Sequence, residues 1–111
     1  MKKFLVLYRM DMGEMQKMMQ TMSKEDQQKG MAEWAEWMKK NAAIFADMGA
    51  PAGKNTQVTS SGAAQVSNDI GGYSIVQAEN AEAATAMLAS SPHFKMAGGT
   101  VDLMEIVPMG M

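Results

Sequence analysis

The sequence holds one histidine, His93, and no cysteine. Imidazole is the side chain whose ordinary pKa falls near neutral pH, so His93 is the natural candidate for general acid or base work. It follows Pro92 and precedes a Gly98-Gly99 pair, where backbone can approach a ligand closely. Asp69 and Asp102 are candidate orienting carboxylates, and Asp69 is the partner chosen for His93. The plainer reading is that His93 caps the loop after Pro92 by bonding a backbone carbonyl. Trp34 and Trp37 lie three residues apart, so they are neighbours on one helix flank. With Tyr8 and Tyr73 they offer walls for a flat organic ligand. Their plainer reading is core packing for Trp34 and partial exposure or a dimer contact for Trp37.

Methionine is the compositional oddity, with 15 copies. Met12, Met15, Met19 and Met22 step along one helical face. Thioethers suit Cu(I), yet no His or Cys lies in residues 10–22 to anchor it. The segment is read as an adaptable apolar lid or dimer arm, not as a metal site. No cofactor motif is present, so no cofactor or metal is expected.

Charge and length narrow the classes. The chain has 111 residues, 47% apolar and 20% charged, an ordinary globular balance for one domain. No apolar run approaches the roughly 18 residues that span a bilayer, so no membrane role is expected. The net charge is −2 and Arg9 is the sole arginine, which argues against phosphate clamps and nucleic acid. Gly72 to Ala78 loosely echoes an RNA-recognition strand, but Ile75 and Ala78 stand where stacking aromatics are needed. Lys2 and Lys3 precede an apolar stretch from Phe4 to Tyr8 only, too short for a secretory core. The expected compartment is the cytoplasm.

The elements that must position these residues follow from periodicity. Residues 3–9 alternate as a strand with apolar side chains on both faces. Residues 10–22 form a short helix at best. Ser23 reads as an N-cap for a long helix from about Lys24 to Met48, with Gly49 as its C-cap and Pro51 as its stop. Asn55 to Thr59 is a weak second strand, and Ser60-Ser61-Gly62 a turn. Residues 70–78 form a strand, Asn80 caps a second core helix, and Thr100 to Val107 form the last strand. The order is βαββαβ, a ferredoxin-like α+β fold with a four-stranded antiparallel sheet whose first and third strands are central. One sheet face is left with apolar residues and no cover, and a second copy of the chain would seal it.

Residues 67–78, Ser-Asn-Asp-Ile-Gly-Gly-Tyr-Ser-Ile-Val-Gln-Ala, resemble the third-strand entry of YCII-related (DGPF-type) proteins. The ending Ser91-Pro92-His93-Phe94, then Gly98-Gly99-Thr100-Val101-Asp102-Leu103-Met104-Glu105-Ile106, resembles the same family, as does Trp34-x-x-Trp37. The likeness covers most of a single domain over residues 1–111, with residues 10–22 as a Met-rich insertion. It implies a dimeric α/β barrel. One branch bears Asp-Gly-Pro-Phe where this chain reads Ser67-Asn68-Asp69-Ile70, and another has a catalytic histidine on the first helix, where this chain has Trp34 and Trp37. The expectation is a homodimer, joined through sheet faces, that binds a small organic molecule. If it is an enzyme, lyase-type or cofactor-independent acid/base chemistry fits best. A non-catalytic regulatory or interaction module is the alternative.

Overall fold

Alternation decides the first element. In the computed structural model, which describes residues 1–95 and 98–108, strand β1 runs Lys2–Arg9. Phe4, Val6 and Tyr8 are buried on one face, while Leu5 and Leu7 are half-buried on the other. Helix α1 spans Met12–Thr21, started by Asp11, whose side chain accepts from the Glu14 amide at 3.0 Å. It buries none of its residues. Helix α2 spans Lys24–Lys40. Ser23 caps it by accepting from the Asp26 amide at 3.1 Å, and Glu25, Asp26, Lys39 and Lys40 suit its dipole.

The expected helix to Met48 is eight residues too long, because the chain turns into a strand. Asn41 Nδ2 donates to the Trp37 carbonyl at 2.8 Å, one 3₁₀ turn follows over Ala42–Ile44, and β2 begins at Phe45. Strand β2, Phe45–Pro51, pairs with β5, Ile70–Ala78. Phe45 and Met48 fit the helical stripe and the strand equally, so periodicity alone could not separate them. The sheet takes Phe45 because it packs on Trp37, ring centroids 5.7 Å apart.

The weak strand at 55–59 also has another place. Thr56–Thr59 is β3, and it pairs only with β4, Gly62–Gln65, in a separate two-stranded hairpin. Both strands are exposed throughout, so these residues have too little to bury in the main sheet. Asn80 starts helix α3, Ala81–Leu88, by accepting from the Ala83 amide at 2.8 Å. A 3₁₀ turn over Pro92–Lys95 leads to β6, Thr100–Glu105, which stops two residues before the expected Val107.

The main sheet has the order β2-β5-β1-β6 with every pair antiparallel. Without α1 and the hairpin, the chain is βαββαβ with β1 and β5 central, the ferredoxin-like α+β fold. Phe4, Val6 and Val76 meet Trp37, Ala84 and Leu88 from the two helices. Among the described residues no helix is long and apolar enough to cross a membrane.

One contact locks the β2–β5 edge. Met48 and Gly49 together oppose Ser74, a bulge of two residues against one. Gly49 has φ 71°, and a Cβ there would collide with the Tyr73 carbonyl oxygen. Gly49→Ala should therefore destabilise by about 1–3 kcal/mol or more in urea unfolding, from backbone strain with no room to relax. A variant of unchanged midpoint would show that β2 does not sit this tightly on β5.

Candidate functional site

A cavity of about 510 Å³ opens between α2 and the end of the sheet where β5 and β2 meet. That volume is in the range of small-molecule sites. Tyr8 and Trp34 form its aromatic wall, in edge-to-face contact with centroids 5.5 Å apart. Met10, Met31, Met38 and Met48 supply thioethers, and backbone from Gly49–Pro51 and Gly71–Tyr73 completes it. Met48 is in this wall because the β2 bulge falls there. Among the described residues no Lys, Arg, Asp or Glu lines the cavity.

His93 is the cavity's ionisable nitrogen base and is fully buried. Its Nε2 lies 2.6 Å from the Arg9 carbonyl oxygen and 2.9 Å from that of Thr100. Both carbonyls are acceptors, so Nε2 must carry the proton and donate. In the neutral ring Nδ1 then holds a bare lone pair. Nδ1 is buried without a hydrogen-bond partner, alone in this among the buried side-chain nitrogens and oxygens of the described residues. The turn that delivers the ring is held by the His93 amide donating to Ser91 Oγ at 3.2 Å. Tyr8 packs edge-on against the imidazole, centroids 5.4 Å apart.

The Tyr8 hydroxyl is committed elsewhere, sharing a 2.8 Å hydrogen bond with buried Ser74 Oγ. Burial pushes the Tyr8 phenol above its ordinary pKa, and the Ser74 bond offsets this only in part. Tyr8 is therefore a neutral wall at physiological pH.

Of the residues chosen from the sequence, His93, Tyr8 and Trp34 come together at this cavity, whereas Tyr73 lends it backbone and its side chain belongs to the opposite sheet face with Leu7. Trp37 does not line it. Its ring is buried behind Trp34, centroids 5.8 Å apart, with Nε1 donating to Ser90 Oγ at 2.9 Å. Asp69 is not hydrogen-bonded to His93. It belongs to Arg9, whose Nε and Nη2 reach Asp69 Oδ1 at 2.9 and 2.7 Å. Asp102 takes the other arm, with Arg9 Nη1 at 2.7 Å from its Oδ2. The four cavity methionines escaped sequence reasoning because they are scattered from residue 10 to residue 48. Among the described residues no group of three or more His, Cys, Asp or Glu side chains gathers to hold a metal ion.

No family model matches the chain, and no curated protein matches its sequence. Solved structures of similar fold exist, and one of them is named by its activity. It is the 5-chloro-2-hydroxyhydroquinone dehydrochlorinase of Burkholderia phenoliruptrix, in complex with 2,5-dihydroxybenzoquinone. The TM-score is 0.54 at 17% identity, over 90% of this chain and 90% of that one. The likeness shows the fold expected from the sequence and does not reach the YCII-related family.

The Arg9 guanidinium holds the Asp69 carboxyl below its ordinary pKa, chiefly through their hydrogen bond. Lost hydration opposes this, and the positive charge reinforces it. A carboxyl lowered in the folded state adds stability above its unfolded pKa of about 3.9 and loses it as pH falls through the folded value. Native protein should therefore melt higher than Asp69→Asn at neutral pH. The gap should close below about pH 4, where the native carboxyl takes up its proton. A gap that persists undiminished to the lowest pH would show that the ion pair is not its source.

Proposed function

We propose that the chain binds a flat, uncharged phenolic or enolic molecule in the cavity and removes a proton from it with His93 Nδ1. One observation carries this: the bare, buried Nδ1 of a ring whose other nitrogen is locked as a donor. An acceptor without a partner calls for a ligand that brings an O–H. The lack of cationic side chains in the wall argues against phosphate or carboxylate groups on that ligand. In the reaction the O–H proton passes to Nδ1 and its electron pair moves into the ring of the ligand. The ring carbon that bears the leaving group takes up a proton, and loss of a second hydroxyl proton then drives that group out with its bonding pair, a net lyase-type elimination of HX that needs no cofactor. The neighbour of similar fold is a dehydrochlorinase, which supports this reading. The alternative of a non-catalytic module fits a packed interior with His93 in solvent, and His93 is instead buried at a cavity.

The test uses hydroquinone, uncharged at neutral pH, for binding and chloride release from 5-chloro-2-hydroxyhydroquinone for turnover. Binding should quench fluorescence from Trp34 in the wall. His93→Gln keeps an amide near Nε2 for the two carbonyls but deletes Nδ1. It should stay folded and lose roughly 10²–10⁴-fold in turnover. A folded variant that binds and turns over as before would remove His93 from the chemistry.

The same reading includes a homodimer of YCII-like, cytoplasmic subunits, each a single domain with residues 10–22 as an insertion serving as lid or dimer arm. Leu5, Leu7, Ile75, Tyr73 and Met104 share the sheet face away from the helices. Tyr73 is 37% and Met104 53% exposed, an apolar face that a second copy would cover. A standard interface buries about 800 Å² per partner. Light scattering at micromolar concentration should give twice the 12.0 kDa chain mass. A monomer at that concentration would overturn the dimer.

A further inference from the structure

Arg9 is the residue at which both faces of the sheet meet the site. On the helix side its backbone carbonyl is the shorter of the two acceptors that hold His93 Nε2, at 2.6 Å. Thr100, whose carbonyl is the other, faces Arg9 directly across the β1–β6 ladder. On the far side the guanidinium joins Asp102 in β6 to Asp69, the residue before β5.

On the β1–β5 side the ladder is irregular at this point, while Arg9 stays paired with Thr100 in β6 and the Met10 amide donates to the Asp69 carbonyl at 2.8 Å. Tyr8 faces Gly72 and Arg9 faces Ile70, so Gly71 is skipped and the β1–β5 register is broken at Arg9. Such a bulge frees backbone from regular pairing. Yet the carbonyl that selects the His93 tautomer sits there. The side chain supplies what the β1–β5 ladder lacks: three short contacts of 2.7 to 2.9 Å pin Arg9 between two carboxylates. The planar fork suits this task, since one lysine ammonium is a point charge and cannot hold two carboxylates in the same plane.

We propose that Arg9 is the positioning residue of the His93 site: clamped by Asp69 and Asp102 on one face of the sheet, it holds on the other face the carbonyl that keeps the proton on Nε2 and leaves Nδ1 bare. This rests on the reading of His93 as the base. Arg9 itself lies outside the cavity wall and touches no ligand. Asp69 thereby acts on His93 through Arg9, not as a direct partner of the ring.

The experiment needs no ligand. In ¹⁵N-labelled protein, NMR of the imidazole reads the tautomer and the exchange of the Nε2 proton with water. The native protein should show one Nε2–H species with a protected proton. Arg9→Met keeps the apolar stem and removes the clamp. Asp102→Asn and Asp69→Asn each weaken one arm, in case loss of both unfolds the chain. In every folded variant the Nε2 proton should exchange faster, by about tenfold where the net worth of one hydrogen bond is lost. Arg9→Met should also populate the Nδ1–H tautomer, and Arg9→Lys should fall between it and the native protein. Unchanged tautomer and exchange in all folded variants would overturn the proposal. Because no probe molecule is present, that failure is distinct from unchanged turnover in His93→Gln, which would remove the base and leave the clamp intact.

Discussion

Two strand-end carbonyls converging on one imidazole nitrogen set the order of this molecule. Arg9 and Thr100 are the facing residues at one end of the β1–β6 ladder, and His93 Nε2 satisfies both carbonyls at once. That pair of bonds ties the turn after α3 to the central sheet, in a chain where α3 is only eight residues long. It buries the ring completely and places it edge-on to Tyr8 and near Trp34, centroids 6.3 Å apart. Buried carbonyls need partners, so a ring at this point is partly a structural necessity. The functional possibility arises from what the structural task leaves over. Two acceptors can be met by one N–H, and the second nitrogen is then surplus.

The cavity beside that nitrogen is built from adaptable material. Four thioethers and two aromatic rings line it, together with stretches of backbone that carry little side chain. Methionine has three rotatable bonds and a polarisable sulfur, so such a wall fits flat ligands without demanding one shape. The glycines serve a different end. Gly49 permits β2 to lie against the Tyr73 carbonyl, and the bulge it forms puts Met48 into the wall. Specificity then rests on few polar groups, chiefly the orientation of one lone pair.

Much of the fold was legible in the sequence because burial and period agree there. Phe4, Val6 and Tyr8 alternate and are buried, Ser23 and Asn80 cap helices as their side chains suggest, and residues 70–78 form a strand over their full length. Legibility failed at residues 41–51, where Ala42, Phe45 and Met48 satisfy a helical stripe and a strand alike. What decides there is tertiary: β5 needs an edge partner, and Thr56–Thr59 is too polar to be it. At the site, the sequence brought His93, Tyr8, Trp34 and Tyr73 to the fore and they line one cavity, Tyr73 with its backbone. It paired Asp69 with the wrong kind of evidence, proximity of a strand end. A carboxylate near a lone arginine has a stronger claim on it than an imidazole whose donor is already taken. That competition is invisible until the register of β1, β5 and β6 is known.

The unmet nitrogen is the last point of physics to place. A buried acceptor without a partner costs about 1–3 kcal/mol, a large share of a small domain's margin. A chain free to choose for stability alone could hold the Arg9 and Thr100 carbonyls with an indole N–H, a donor that brings no acceptor of its own. Imidazole is a costly way to cap two carbonyls, and its distinguishing property is the second nitrogen. Unsatisfied polar atoms in otherwise well-bonded interiors concentrate where a ligand or a reaction supplies the missing partner. Here the surrounding atoms agree with that direction. The Tyr8 hydroxyl is bonded to Ser74, Asp69 and Asp102 are held by Arg9 outside the wall, and among the described residues no charged side chain lines the cavity. Among the described residues, Tyr8, Asp69 and Asp102 are thus already engaged, and the bare Nδ1 is the physical ground of the ligand proposed above.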